Sequence, residues 1–263
     1  MDDGALVAEV GAAIRRSRRI VVLTGAGVSA ESGVPTFRSG ADALWKGRDP
    51  MTLATPPAFA SDPETVSRWY DWRRVRCLGL SPNPGHVALA QMQRRIEESG
   101  GEFALITQNV DRLHHRAGSA GVIELHGSIM RWRCTVTGQE VEPPPEPMTE
   151  FPPRSPFDRA GLLRPGVVWF GEALPEPALT AAAIAVSACD LFLSIGTSAV
   201  VYPAAGLLES AAARGVMTIE INPEPTPLSH LCTFSIRARS GEWLPRVTAA
   251  AWPDHAPVAS ATR

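Results

Sequence analysis

The chain has 263 residues, 44% of them hydrophobic, which is enough to pack one large α/β unit with a smaller satellite. A formal net charge of −2 with no block of like charges excludes an electrostatic footprint for nucleic acid or an anionic membrane. No basic-then-apolar leader and no apolar run of about 18 residues occurs, so the expected compartment is the cytoplasm and the expected partners are small molecules or proteins; the oligomeric state stays open.

Short runs rich in Val and Ile recur along the chain at 19–25 (RIVVLTG), 103–109 (FALITQN), 121–127 (GVIELHG), 190–196 (DLFLSIG) and 215–222 (GVMTIEIN). Their continuous apolarity predicts strands covered on both faces of a parallel sheet. Residues 61–76 read as a helix opened by Ser61 or Asp62, with Pro63 in the first turn and Glu64 placed for a capping box. The Ala- and Leu-rich stretches 177–188 and 203–214 carry no internal proline and predict crossover helices. The fold class is therefore α/β with a doubly wound sheet. Two stretches break the rhythm: 40–100, helical in pattern, and 128–166, which has seven prolines between Pro143 and Pro156. They predict a small second domain, leaving 1–39, 101–127 and 167–250 to the large one and 251–263 as a disordered tail. The four cysteines, Cys77, Cys134, Cys189 and Cys232, fit no disulfide or metal spacing and read as reduced thiols, with Cys189 in an apolar core strand. Lys46 is the only lysine, a compositional bias with no mechanism attached.

The first strand runs into Gly25-Ala26-Gly27-Val28-Ser29-Ala30, a G-x-G-x-x-A pattern whose small residues let backbone N–H groups approach a pyrophosphate. A plain dinucleotide-binding enzyme would continue into a long helix with an acidic ribose contact about 20 residues on. Here Ser32-Gly33-Val34-Pro35 stops the helix early, so a cofactor must be held differently.

The segments GAGVSAESGVPTFRS, TQNVDRLHHRAG, ELHGS, VVWFGE and IGTSAVVYPAA follow one another in an order and spacing that resembles the sirtuin family over roughly residues 10–247. The resemblance implies a Rossmann-like NAD-binding domain, a small domain made of a helical module and a ribbon, and cleavage of the nicotinamide–ribose bond by an acyl-lysine of a protein. The products are nicotinamide, free lysine and O-acyl-ADP-ribose. His126 matches the catalytic base, an imidazole that titrates near working pH. Gln108, Asn109 and Asp111 match the residues lining the ribose and nicotinamide pocket, with Asn109 and Asp111 counted as catalytic. Without the resemblance, Asn-Val-Asp at a strand end reads as an ordinary helix cap. Phe37 and Arg38 match a cofactor loop, and Gly25, Ala26, Gly27, Ser29, Glu31, Thr36, Trp45 and Ser240 are implied to join the NAD site. Gly196, Thr197, Ser198 and Asn222 match its adenosine half, and Val167, Phe170 and Gly171 a segment that pairs with the substrate backbone. His86, His114 and His115 read as structural.

Tyr70 and Arg73 share a helix face and match the Tyr-x-x-Arg pair of the sirtuin subgroup (class III) that removes succinyl, malonyl and glutaryl groups. An Arg fork and a phenolic hydroxyl suit a distal carboxylate, and an unpaired Arg in an acyl channel would be costly. Most sirtuins hold a structural zinc with two C-x2-C pairs, but only Cys134 remains here, with Thr137 at its partner's position. Zinc is expected to be absent, with the stiff proline-rich stretch as a brace. The alternatives are a general deacetylase, an ADP-ribosyltransferase and, more remotely, an NAD-sensing or NAD-hydrolysing module.

Overall fold

The computed structural model describes residues 2–35 and 50–253. Six parallel strands form the central sheet: β1 (Arg19–Thr24), β2 (Glu102–Thr107), β3 (Ile123–Glu124), β7 (Leu191–Ile195), β8 (Met217–Ile221) and β9 (Phe234–Ile236), in the order β3-β2-β1-β7-β8-β9. Alternate residues of β1 point to opposite faces, as a pleated strand requires. Ile20 and Val22 join a core with α1 (Asp3–Arg16), α5 (Pro84–Glu98) and α9 (Ser240–Ala251) through Ile14, Leu89, Met92 and Trp243. Val21 and Leu23 join the opposite core with α7 (Glu176–Ala188) and α8 (Ala205–Ala213) through Val186, Leu207 and Leu208. Both faces are thus covered, which is why the strands read as unbroken apolar runs.

A second sheet is antiparallel, in the order β5-β4-β6: β4 (Gly127–Cys134), β5 (Glu140–Val141) and β6 (Leu163–Val167). It packs on α3 (Pro56–Ser61) and α4 (Pro63–Leu78) around Phe59, Val66, Tyr70, Trp132 and Trp169. The proline-rich stretch is pinned to α4 by a buried pair. Arg74, 1% exposed, donates to Asp71 at 2.7 Å and to the carbonyls of Pro144 and Glu146 at 2.7 Å each, while Asp71 accepts from the Met148 amide at 2.9 Å.

Several local expectations need correction. The run 121–127 is not one strand: only Ile123 and Glu124 pair with β2, and the chain leaves the sheet at His126 to begin β4 at Gly127, which has φ 71°. Glu64 forms no capping box. Asp62 is the N-cap of α4, taking the Thr65 amide at 3.0 Å, so Glu64 stands one position too early and bonds Arg68 instead. Cys189 lies not in a strand but at the C-cap of α7, buried. All four cysteines are free thiols. Among the described residues no helix is long and apolar enough to cross a membrane.

Candidate active site

Strand order reverses direction at β1: the chain moves outward through β2 and β3 on one side and through β7, β8 and β9 on the other. The carboxyl ends of β1 and β7 therefore flank a topological switch point, where open α/β sheets bind their ligands. The loop after β1 opens the short helix α2 (Ala26–Ala30) and lies tight against the end of β7. Gly25 N–H donates to the Ile195 carbonyl at 3.1 Å and Gly27 N–H to the Gly196 carbonyl at 2.8 Å. A Cβ on Gly27 would stand 2.7 Å from Gly196 backbone atoms, and one on Gly25 2.8 Å from the Thr197 Cα. Gly196 itself has φ 60°. The glycines are thus required first by two backbones in contact, and this contact forms the floor of the cradle.

Polar residues converge on that floor from β2 and the loop after it. Gln108 donates to the Thr197 hydroxyl at 2.9 Å. Asn109, 8% exposed, donates to the Gly25 carbonyl at 3.0 Å and to Ser29 Oγ at 3.1 Å. Ser29 in turn bonds Asp111, whose carboxylate also takes the Leu113 amide at 2.8 Å. Burial pushes the Asp111 carboxyl up, opposed by these bonds and by the charges of Arg73 and Arg116. Beneath them lie His86 and His114, their rings tilted at 59° with centroids 4.7 Å apart, both fully buried. His86 Nδ1 accepts the Asn83 amide at 3.3 Å, which leaves Nε2 as the donor toward Ser29 at 3.3 Å. These two histidines support the site from below, as their structural reading requires.

His126 sits where the chain leaves β3. Its Nδ1 is 2.9 Å from the Gln108 carbonyl, an atom that can only accept, so the proton is on Nδ1 and the lone pair is on Nε2. Burial lowers its pKa, with the Gln108 bond opposing. That is the tautomer of a base ready to take a proton.

On α4, Tyr70 is 3% exposed and its oxygen accepts the indole N–H of Trp169 at 3.0 Å, leaving the phenolic proton free to donate. The Arg73 guanidinium lies over the rings of Trp69 and Tyr70 at 4.6 and 5.4 Å, and burial pulls its pKa down. Among the described residues no carboxylate lies within ion-pairing distance of it, in contrast to its neighbour Arg74. Trp169 was not singled out from the sequence, although it stands inside VVWFGE; it ties Tyr70 to the segment just after β6 and carries Arg164 against its face at 3.3 Å.

Other candidates lie apart from this cluster. Glu31 accepts from Ser240 Oγ at 3.2 Å and the Gly241 amide at 2.8 Å, so its carboxylate holds the first turn of α9. Asn222 donates to the Glu224 carbonyl at 2.7 Å. Ala26 begins α2, and Ser198 follows Thr197 at the β7 end, both half-buried. The amides of Val168, Trp169 and Phe170 are all used within the chain, so a substrate backbone beside Val167 and Phe170 would have to use carbonyls and the Gly171 end, where φ is 87°. Thr36, Phe37, Arg38 and Trp45 lie outside the described residues.

A tetrahedral zinc does not fit the residues present. The Cys134 sulfur accepts from the amides of Val136 and Thr137 at 3.4 Å each and from the hydroxyls of Ser155 and Thr137, and these hydroxyls are poor zinc ligands. Among the described residues no group of three or more His, Cys, Asp or Glu could hold a metal.

The Sir2 family profile matches residues 25–203, from the first glycine of the cradle to the loop after β7. The chain belongs to the Sir2 family. It is 47% identical over 245 residues, 90% of this chain and 96% of the relative, to NAD-dependent protein deacylase 1 of Pseudomonas aeruginosa. It is likewise 47% identical over 231 residues, 86% of this chain and 95% of the relative, to an NAD-dependent protein deacylase of Mycobacterium tuberculosis. A Sir2 homologue solved with NAD superposes with TM-score 0.86 at 43% identity, covering 97% of this chain and 95% of that one. A Sir2 protein solved with a deacetylated p53 peptide and 3'-O-acetyl ADP-ribose superposes with TM-score 0.80 at 33% identity, covering 94% and 97%. The Sir2 fold therefore extends over the parallel sheet and the antiparallel sheet alike.

Proposed function

We propose that this Sir2-family chain is an NAD-dependent protein-lysine deacylase that prefers acidic acyl groups, succinyl, malonyl or glutaryl, and releases nicotinamide and O-acyl-ADP-ribose. The observation that carries the acyl preference is Arg73: a half-buried cation held over two aromatic rings, with no carboxylate within ion-pairing distance among the described residues and only the longer-range charge of Asp111 acting on it. A cation in that setting is stabilised by a carboxylate brought by the substrate. Tyr70 offers the second donor.

The residues present fit NAD, because the backbone contact at Gly25, Gly27 and Gly196 makes a side-chain-free cradle at the switch point. NAD supplies the nicotinamide–ribose bond that is broken. Asn109 and Asp111 orient the reacting end, and Gln108 and Thr197 hold the cradle wall. His126 Nε2 takes a proton from a ribose hydroxyl, and the Gln108 carbonyl keeps the imidazole in the required tautomer. In this reading Gly25, Ala26, Gly27 and Ser29 with Gly196, Thr197 and Ser198 form the cofactor wall, whereas Glu31, Ser240 and Asn222 support it from outside. Residues 1–39, 101–127 and 167–250 form the cofactor domain, and 40–100 with 128–166 the domain that carries Arg73. The cytoplasm is the proposed compartment, consistent with four free thiols.

A second reading is plain deacetylation, favoured by the acetylated product and deacetylated peptide in the related structure. Matched acetyl- and succinyl-peptides with NAD separate the two: higher kcat/KM on succinyl supports acidic-acyl removal, and higher kcat/KM on acetyl supports deacetylation.

A further inference from the structure

The strand end that carries His126 and the loop that carries Asp111 are both anchored, through charges, to the antiparallel sheet. Glu124 ends β3 two residues before His126, and its side chain is only 11% exposed. Arg131 of β4 donates to its carboxylate at 2.6 Å, while Arg112 and His115 approach it at 3.9 Å each. Arg112 follows Asp111 directly and reaches Glu142, just past β5, at 2.8 Å; Arg131 also faces Glu140 of β5 at 3.6 Å. One carboxylate thus receives arginines from two parts of the chain, Arg131 of β4 and Arg112 of the loop after β2, with the His115 imidazole beside them, and both arginines continue to acids in or beside β5.

The backbone adds a second observation. Arg112 has φ 61° and ψ 20°, the left-handed region that a residue with a Cβ enters at a cost. Glycine or asparagine would meet the turn more readily. The Ile129 amide, also in β4, donates to the Val110 carbonyl at 2.9 Å, so the same loop is held to the same strand by backbone as well as charge. Glu172, Arg133 and Arg164 form a separate cluster and do not compete for Glu124.

We infer that Glu124 and Arg112 are positioning residues: through the chain Glu140–Arg131–Glu124–Arg112–Glu142 they set the His126 strand end and the Asp111 loop relative to each other and to the antiparallel sheet. The inference rests on the reading of His126 and Asp111 as residues of the reacting centre. With Glu124 neutral, Arg131 and Arg112 lose their shared anchor and the two halves of the site shift independently.

The test uses the full chain as wild type, Glu124→Gln, Arg112→Gly, Arg112→Lys, Glu142→Gln and the double variants Glu124→Gln/Arg112→Gly and Glu142→Gln/Arg112→Gly. It reads the NAD dissociation constant from tryptophan fluorescence, KM for NAD and kcat on acetyl- and succinyl-peptides, and the melting temperature. Arg112→Gly keeps the turn while deleting the cation. The expected result is a kcat/KM about tenfold lower in Glu124→Gln and Arg112→Gly, the size a sub-ångström misplacement produces, with an unchanged acyl preference. Weaker NAD binding in both, partial recovery in Arg112→Lys and an effect in Glu124→Gln/Arg112→Gly smaller than the sum complete the expected pattern. Glu142 is 62% exposed, so Glu142→Gln does not threaten folding and decides the matter if Glu124→Gln fails to fold: it should weaken NAD binding in the wild-type background and not in Arg112→Gly. Values for folded variants within about twofold of wild type, or strictly additive losses, overturn the inference. No turnover of any acyl-peptide by wild type would instead defeat the functional reading, while NAD binding would still decide the charge chain.

Discussion

The Tyr70 oxygen accepts the Trp169 indole N–H at 3.0 Å, so a residue of α4 is oriented by the strand-to-loop segment that borders the proposed substrate path. The bond fixes which way the phenol can donate: with its acceptor role filled, its proton is directed elsewhere. Tyr70→Phe should therefore raise KM for a succinyl-peptide by roughly fivefold to tenfold, the value of one hydrogen bond to a charged group, and leave an acetyl-peptide unaffected. Steady-state kinetics on the paired peptides checks this, and Trp169→Phe, which frees Tyr70 without removing it, should fall between wild type and Tyr70→Phe.

The pH dependence follows from His126. Burial lowers its pKa, so the neutral, proton-accepting form persists below the ordinary imidazole value of about 6.5. The acid limb of kcat/KM should lie below that value, and His126→Ala should abolish turnover on every acyl-peptide. A limb at or above the ordinary value would show that another group sets it.

Stability has its own pH signature. His86 is fully buried and its pKa is pulled down to about 4 by burial. Between about pH 6.5 and 4 the unfolded chain takes up a proton at this position that the folded chain does not, so stability must fall as pH falls through that window. A shift of this size corresponds to roughly 3 kcal/mol. Urea midpoints at pH 7.5 and 4.5 should show the loss, reduced in His86→Gln.

The parallel sheet was legible because each strand is buried on both faces and reads as an uninterrupted apolar run. The cradle glycines were legible as a motif, but their reason was not: the contact of Gly27 with Gly196 joins segments far apart in sequence, which no local pattern encodes. The same limit hid Trp169, whose partner Tyr70 lies 99 residues away. The run 121–127 was misread because the strand pattern continues through His126, whereas the positive φ of Gly127 turns the chain into the other sheet. The resemblance implies Glu31 and Ser240 as cofactor residues, and the bond between them, across 209 positions, is a long-range contact of the same kind.

Arg74 and Asp71 tie the proline-rich stretch to α4. Arg74→Met strips the partner from buried Asp71 and releases the Pro144 and Glu146 carbonyls, so it should cost about 3 kcal/mol or more in chemical denaturation. The loss in Arg74→Met/Asp71→Leu should be smaller than the sum of the single losses.

The hydrogen bonds around Cys134 predict a metal-independent fold. Elemental analysis of the purified chain should find no stoichiometric zinc, and a chelator should leave the melting temperature unchanged. Cys134→Ala, which removes the acceptor of those donors, should lower it.

The most direct test of the account compares kcat/KM for succinyl- and acetyl-lysine peptides of one sequence, with saturating NAD, in wild type and Arg73→Met. The account predicts that wild type favours the succinyl-peptide and that Arg73→Met loses this preference, about 2 kcal/mol or more for a charge-assisted pair shielded from water, while keeping its acetyl rate. A wild type that favours the acetyl-peptide, or a succinyl preference that survives Arg73→Met, would contradict it.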